Sequence, residues 1–492
     1  MLSGSEASIG VDASNIAGGF LRNPFSAGWL TNPTLSFYPY AFSIDALGNS
    51  IFALRLPSAF IGALTIPLIY LIGQRLWSRP VGLTAALLLL GNHAHLHYSR
   101  LGITNIWDPA LALLAIGLIL NAWHRPSRHG WLLAGLAIGL NAYFFTSLHL
   151  FPLILLPLGL ILLIKQAQFT PQRHHILAAL LLAFIVASPQ ISYFRQNPEI
   201  FMARIEQISP LYNPQLAATV DWPNQFTQSL FAFNHSLDTD TNYLASRPFL
   251  SIWPAIFFIF GLAWSLYHGR RLRHLTLFIW ILIPIIFGAA LIENPPASRR
   301  LLIALPAVTL ITALGLVTAA TQLQTLLARY LHAANINLET DIPYARHLFL
   351  ATLLITTGLI SLLDIQYYLQ IYPQENRFGD RNTEIAYELS RFLQEQDPSH
   401  PVYFYGAPHM YTSFPTFAYL APQFRPNVNF FDITTPYELP PNAPQPPFTL
   451  VFVPERAYEL TEIQTNYSQG TITRPPGRLT NPLFITYQVT AP

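Results

Sequence analysis

Two arginine loci and a few carboxylates carry most of the chemistry this sequence offers. Arg299 and Arg300 follow Glu293-Asn294-Pro295-Pro296 and open an apolar run, so paired guanidiniums stand at a helix start where an anion is the natural counter-charge. Arg100 ends the stretch Asn92-His93-Ala94-His95-Leu96-His97-Tyr98-Ser99. Its planar fork can take two phosphate oxygens, although a snorkelling arginine reads the same way. Asp108, with Pro109 behind it, begins the next apolar run and either complements the helix N-terminus or faces a substrate. Glu6 and Asp12 lie in residues 5–18, which have the spacing of a short interfacial helix, though an acid so near a terminus also reads as a tail. His93 and His97 stand four apart, a metal-ligand spacing, but no third ligand is near and head-group histidines are the plainer reading. Guanidiniums gathered beside a carboxylate can hold an anionic leaving group while the carboxylate accepts a proton.

The elements that must position these groups are membrane helices. Of 492 residues, 52% are hydrophobic and only 10% charged, against roughly 25% in soluble proteins, which excludes an ordinary water-soluble globule. The net charge of +2, with Lys165 the single lysine, gives no nucleic-acid footprint. No cysteine is present, so disulfides, thiolate metal sites and cysteine nucleophiles are ruled out. Ten apolar stretches are long enough to be spans, approximately 55–75, 80–98, 106–123, 130–146, 148–164, 175–193, 248–267, 274–292, 301–320 and 348–368. Alternate connections carry Arg75 and Arg79; Arg125 and Arg128; Lys165 and Arg173; Arg270, Arg271 and Arg273; and Arg329 with Arg346, which puts them on the cytoplasmic side. Residues 1–54, the Arg100 loop, the long loop 194–247, the Glu293–Arg300 loop and everything after 370 then face outward. The start shows no signal peptide, so either the second half of this segment carries the first 50 residues across or a further transmembrane helix stands ahead of Met1.

Residues 373–492 change character. RNTEIAYELSRFLQEQ at 381–396 places Ile385, Leu389, Phe392 and Leu393 on one helix face, and the runs 402–405, 449–453 and 483–487 read as strands between Pro/Gly/Asn turns, including 441–447. The expected organisation is an outer first segment 1–54 with interfacial helices, a transmembrane domain 55–372 and a small extracytoplasmic α/β domain 373–492. Phosphate loops, GxSxG elbows and HExxH are absent from the sequence. The helix centres are nearly free of charge, while Glu6, Asp12, Asp45, Arg55, Arg100, Asp108, Glu293, Arg299, Arg300 and Asp364 gather at the outer boundary. That distribution favours an enzyme working at a lipid head group over a transporter, which needs polar or broken helices near the midplane.

In order along the chain stand Asn32-Pro33-Thr34-Leu35, Gly48 to Ala59 with Leu54-Arg55-Leu56-Pro57-Ser58-Ala59, Tyr98-Ser99-Arg100-Leu101, and Ala297-Ser298-Arg299-Arg300 with Leu305-Pro306-Ala307. This pattern resembles the polytopic glycosyltransferases related to protein O-mannosyltransferases and lipid A aminoarabinose transferases, over roughly residues 5–370. The resemblance implies an all-α, polytopic GT-C bundle with a small C-terminal α/β domain. It implies transfer of a sugar from a polyprenyl-phosphate carrier to a lipid, polysaccharide or protein acceptor, at the outer face of the cytoplasmic membrane. An Asp-Glu pair in the first outer loop, after a first transmembrane helix, is usual; here Ser5-Glu6 keeps one acid, making Glu6 the candidate base, and of the two alternatives the helix ahead of Met1 is the one implied. A further acid after the Ser-Arg motif is usual; Asn105 stands there, with Asp108 three residues on, as candidates for orienting sugar or acceptor. Arg100, Arg299, Arg300 and Arg55 would hold the donor phosphate, and no metal or nucleotide cofactor is expected. Ser5 and Asn105 also keep open a catalytically lapsed protein that only binds the carrier or a glycan.

Overall fold

The computed structural model describes residues 1–21, 23–164, 172–269, 271–333, 345–375, 380–440, 446–478 and 480–490. Lys165, Arg270 and most of the 441–447 turn segment therefore lie outside the described residues. The chain divides into two compact units: Asn23–Tyr38 with Arg55–Asn376, and Met1–Arg22 with Pro39–Leu54 and Arg377–Pro492.

The larger unit is helical. Six helical stretches are long and apolar enough to cross a bilayer: Ile51–Leu76, Thr104–His124, Arg173–Gln196, Leu272–Ala290, Ser298–Leu331 and His347–Glu375. They are apolar nearly all round, which suits a lipid solvent, where each helix must satisfy its own backbone polar groups. Arg79–Gly91, His149–Ile161 and Ile252–Tyr267 are shorter apolar helices, so ten full-length spans are not seen among the described residues. The expected span 80–98 breaks at Asn92, whose side chain caps His93–Ser99 through His95 N–H and donates to the Phe249 carbonyl at 2.8 Å. The expected span 130–146 becomes the 13-residue helix Arg128–Leu140 and a 3₁₀ turn; at 1.5 Å per residue it reaches about 20 Å, short of the ~30 Å hydrocarbon layer.

Ser298–Leu331 is the centre of this unit, with 89% of its most apolar window buried, against 17% for Arg173–Gln196. It packs on Ile252–Tyr267 through glycines: a Cβ on Gly315 would lie 2.0 Å from the Phe257 carbonyl oxygen, and one on Gly261 2.1 Å from that of Ile311. Small residues allow this approach, and Thr309 and Thr312 satisfy their hydroxyls on carbonyls one turn back.

The smaller unit is α/β. Strands β1 (Val402–Tyr405), β2 (Phe430–Asp432), β3 (Phe448–Phe452), β4 (Gly470–Thr473) and β5 (Ile485–Val489) form one sheet in the order β2-β1-β3-β5-β4. β1 pairs in parallel with β2 and β3, while β5 runs antiparallel to β3 and β4. Alternation along β1 sends Val402 and Phe404 into a core with Ile385, Leu389 and Leu393 of helix Arg381–Gln394, and Tyr403 and Tyr405 into a second core with Leu460 and Ile463. β2 and β4 are too short and too punctuated to stand out in sequence. The same unit takes in the chain's start. Helix Gly4–Ala17 packs on helix Pro415–Leu420, with the Tyr419 ring against Gly10, where a Cβ would come within 2.7 Å.

Candidate active site

The most elaborate polar cluster surrounding the expected arginines is built by two loops of the helical unit. Residues 238–242, Asp-Thr-Asp-Thr-Asn, clasp the segment 294–299 at the head of the central helix. Asp238 takes the Ser298 N–H and hydroxyl, both at 2.8 Å, so it caps the helix start that Arg299 and Arg300 occupy. Thr239 bonds the Pro296 carbonyl through its N–H (3.0 Å) and hydroxyl (2.9 Å). Asp240, with a fully buried side chain, accepts from Arg299 N–H, Tyr98 O–H, and the backbone and side-chain amides of Asn242, and forms an ion pair with Arg299 Nε. Both carboxylates are therefore spent on protein donors, and their role is to hold the loop and helix start together. Burial, joined by the charge of Asp240, pushes the Asp238 carboxyl up to about 7 against the opposing Ser298 hydrogen bonds.

The clasp neutralises Arg299 through a 3.3 Å ion pair with Asp240. The Arg300 guanidinium has no ion pair or hydrogen bond among the described residues. Arg204, on helix Pro198–Ile208, lies close enough to feel the charges of Arg299 and Arg300; burial and then Arg299 lower its pKa. Glu293 opposes that shift without an ion pair to either arginine among the described residues. The outer loop is anchored here by Gln225 Nε2, which donates to the Ile292 carbonyl at 2.7 Å, and by Ser209 Oγ to that of Leu291 at 2.8 Å. Arg204 and Arg300 therefore have no ion-pair partner among the described residues, although Asp240 and Glu293 act on both from a distance. A site of this kind binds a phosphate and stabilises the charge that grows on it as it leaves.

Arg100 connects to this cluster through a chain of rings. Its exposed guanidinium lies over Tyr368, 5.5 Å from the ring centre, and Tyr368 O–H meets His97 Nδ1 at 3.3 Å. His97 Nε2 in turn meets the Asn242 carbonyl at 2.8 Å, and neighbouring Tyr98 reaches Ser298 Oγ at 2.6 Å. His93 bonds Tyr243 O–H and, at 2.9 Å, the Pro248 carbonyl. The spaced histidines thus tie helix His93–Ser99 to loop 240–249, and no cluster of three metal-ligating side chains occurs among the described residues. Tyr367 and Tyr368 sit on a π-helical turn, Tyr367–Ile371, and another, Pro284–Ala290, precedes Glu293; such turns recur at functional sites.

Of the residues expected from sequence, Arg100, Arg299, Arg300 and Asn105 meet in this region, Asn105 donating to the Arg299 carbonyl at 3.4 Å. Asp108 is 2% exposed in the first turn of helix Trp107–His124, with its polar atoms engaged. Arg55 is half-buried and also engaged, on a helix whose Ser58 bonds the Ile103 carbonyl at 3.2 Å. Glu6 belongs to the other unit, where it is completely buried. It forms a capping box with Ser3: Glu6 Oε2 accepts from Ser3 N–H (3.1 Å) and Oγ (3.2 Å), while Glu6 N–H donates to Ser3 Oγ. Sequence reading missed Asp238, Asp240, Asn242, Tyr98 and Arg204. The Asp-x-Asp-x-Asn spacing was an available signal, since alternating Asx side chains favour loops closed on their own amides.

Residues 31–193 match the family described as dolichyl-phosphate-mannose-protein mannosyltransferase. An undecaprenyl phosphate-alpha-4-amino-4-deoxy-L-arabinose arabinosyl transferase of Pseudomonas aeruginosa is 31% identical over 120 residues, a stretch that covers 23% of this chain and 22% of the relative. A Pseudomonas paraeruginosa protein of the same name matches over the same extent. The fold is that of ArnT from Cupriavidus metallidurans, 13% identical with a TM-score of 0.65 in its complex with undecaprenyl phosphate, and 12% identical with 0.62 in the apo state. Each of these alignments covers 100% of this chain and 95% of the other.

Proposed function

We propose that this chain, a GT-C-fold member of the superfamily of protein O-mannosyltransferases and aminoarabinose transferases, moves a sugar from a polyprenyl-phosphate donor to an acceptor hydroxyl at the outer face of the cytoplasmic membrane. The observation that carries this reading is the clasp that fixes Arg300 at the head of a buried helix with no carboxylate partner, next to Arg204 and Arg299. A protein of the same fold has been crystallised with undecaprenyl phosphate bound, which is the ligand chemistry that an arginine without an ion pair fits.

In this reading the donor phosphate rests on Arg300 and Arg299, with Arg204, Arg100 and Arg55 adding positive potential. The isoprenoid chain lies between helices. As the glycosidic C–O bond breaks, the charge returning to the phosphate meets the Arg299 guanidinium, already paired with Asp240, and Arg300 beside it on the same helix start, so little reorganisation is required. Glu6 takes the proton of the attacking acceptor hydroxyl, and Asp108 and Asn105 orient acceptor or sugar. The leaving group is an activated phosphate neutralised by arginine, so the chemistry calls for neither a nucleotide nor a resident metal. The acceptor is a lipid, a polysaccharide or a protein, selected with the help of the α/β unit, and the sugar moved is a hexosyl or a pentosyl group.

The test is transfer from radiolabelled polyprenyl-phosphate sugars by membranes containing the protein. Arg300→Ala and Arg300→Lys should lower turnover on the order of a hundredfold or more, since Lys cannot reproduce the planar fork. Unchanged turnover in both variants would remove Arg300, and with it the proposed donor site.

A further inference from the structure

The opposite ends of the same helices hold a second ligand-sized space. A cavity of about 790 Å³ lies where helices Ile51–Leu76 and Trp107–His124 finish and where Arg128–Leu140, Arg173–Gln196 and Leu272–Ile283 begin. From Leu272 to Ala290 is 19 residues, so roughly 28 Å of helix separates this end from the Arg299–Arg300 end. The walls are Trp123, Trp131 and leucine and isoleucine side chains. Leu156, Leu160 and Leu180 line it while being 52–62% exposed, so the space opens on the hydrocarbon-facing surface of the bundle.

Its polar rim is of one sign. Arg75, Arg271, Arg273 and His124 line it, and no carboxylate does among the described residues. Arg273 donates to the Leu76 carbonyl at 2.8 Å and lies over Trp77, which fixes its position. Among the described residues the guanidiniums of Arg75 and Arg271 have no hydrogen-bond or ion-pair partner. Arg271 caps, and Arg273 follows, the start of a helix whose dipole is positive there, so these cations add to that dipole instead of offsetting it. Such a rim above apolar walls is complementary to an amphiphile with an anionic head.

We propose that this cavity holds one anionic phospholipid from the leaflet at the arginine-rich end of the bundle, its phosphate among Arg75, Arg271 and Arg273 and its acyl chains against Trp123, Trp131 and the leucines. The site is distinct from the proposed donor site and rests on the membrane reading alone. Lipid occupancy is read without turnover, so failure of this assignment and failure of the transferase reading are distinguishable.

The experiment is native mass spectrometry of the full-length protein released from micelles doped with phosphatidylglycerol or with phosphatidylcholine of the same chains. One phosphatidylglycerol should be retained in preference to phosphatidylcholine. Arg75→Gln and Arg271→Gln should each weaken phosphatidylglycerol retention about fivefold while leaving phosphatidylcholine unchanged. Gly159→Trp, at a position where an added Cβ meets nothing within 4 Å, should fill the space and reduce retention of both lipids. Equal retention of the two lipids, or no change in either arginine variant, overturns the proposal. So does competition by glycerol 3-phosphate as effective as that by the whole lipid, which would mark an anion site with no lipid role. Unfolding midpoints in lipid-free detergent accompany each variant; if Arg271→Gln is unstable, the exposed Arg75 carries the test.

Discussion

Glu6→Gln leaves a side chain that still accepts hydrogen bonds from Ser3 but can no longer take a proton. The capping box uses Glu6 Oε2 as acceptor of the Ser3 N–H and hydroxyl, a geometry that a glutamine amide oxygen reproduces. Stability should therefore change by no more than a few tenths of a kcal/mol. Glu6→Ala removes the box from a completely buried position and should cost about 0.5–2 kcal/mol. Loss of a general base costs about 10²- to 10⁴-fold in rate, or roughly 3–5 kcal/mol of barrier. The two variants thus separate: Glu6→Gln should lose transfer with an unchanged unfolding midpoint, and Glu6→Ala should lose both. Single-turnover transfer from a radiolabelled polyprenyl-phosphate sugar, with thermal unfolding of the same preparations, reads both quantities. If Glu6→Gln transfers within about threefold of the parent while Glu6→Ala merely unfolds earlier, Glu6 is a helix cap and the base must be sought elsewhere.

Two further outcomes follow from the packing described. Burial, then the charge of Asp240, holds the Asp238 carboxyl up at about 7, above its ordinary 3.8, so its contribution to the clasp is complete below about 4 and is lost as pH rises through about 7. Hydrogen exchange at the Asn242 and Leu244 amides, corrected for intrinsic rate, should show weaker protection at about pH 8 than at about pH 5, and Asp238→Asn should flatten the difference; an equally steep profile in that variant refutes the assignment. Gly315→Leu places carbon where the Phe257 carbonyl already sits, 2.0 Å from the added Cβ, and should lower stability by about 1–3 kcal/mol or more; an unchanged unfolding midpoint would mean the two helices are not locked as described.

Hydropathy alone locates most of the long helices, because the bilayer's demand for about 20 apolar residues is a one-dimensional property. It does not see Asn92, where a single side chain finds better partners by breaking a helix than by continuing it. Helix Arg381–Gln394 and strand Val402–Tyr405 were legible from periodicity and punctuation, whereas β5 begins two residues later than the apolar run suggests. Arg299 and Arg300 could be found from their sign and place. The carboxylates that hold this helix start could not, because Asp238 and Ser298 are 60 residues apart and only folding pairs them. Ser3-Gly4-Ser5-Glu6 does spell a capping box, a local meaning that a search for catalytic acids passes over.

The α/β unit has a consequence for the order of synthesis. Asn49 donates to the Tyr419 carbonyl across 370 residues of chain, and Ala7, Ile9 and Ala13 of the first helix are buried in the finished protein. At about 5–20 residues per second the ribosome takes roughly 20–80 s to go from helix Gly4–Ala17 to its partner Pro415–Leu420. A 14-residue helix is marginal on its own, so through that interval its apolar face must be sheltered by the membrane surface or a chaperone. Helix Pro415–Leu420, translated after the described membrane helices, decides when helix Gly4–Ala17 is packed, and slowing or stalling elongation between them would lengthen the exposure of residues made long before.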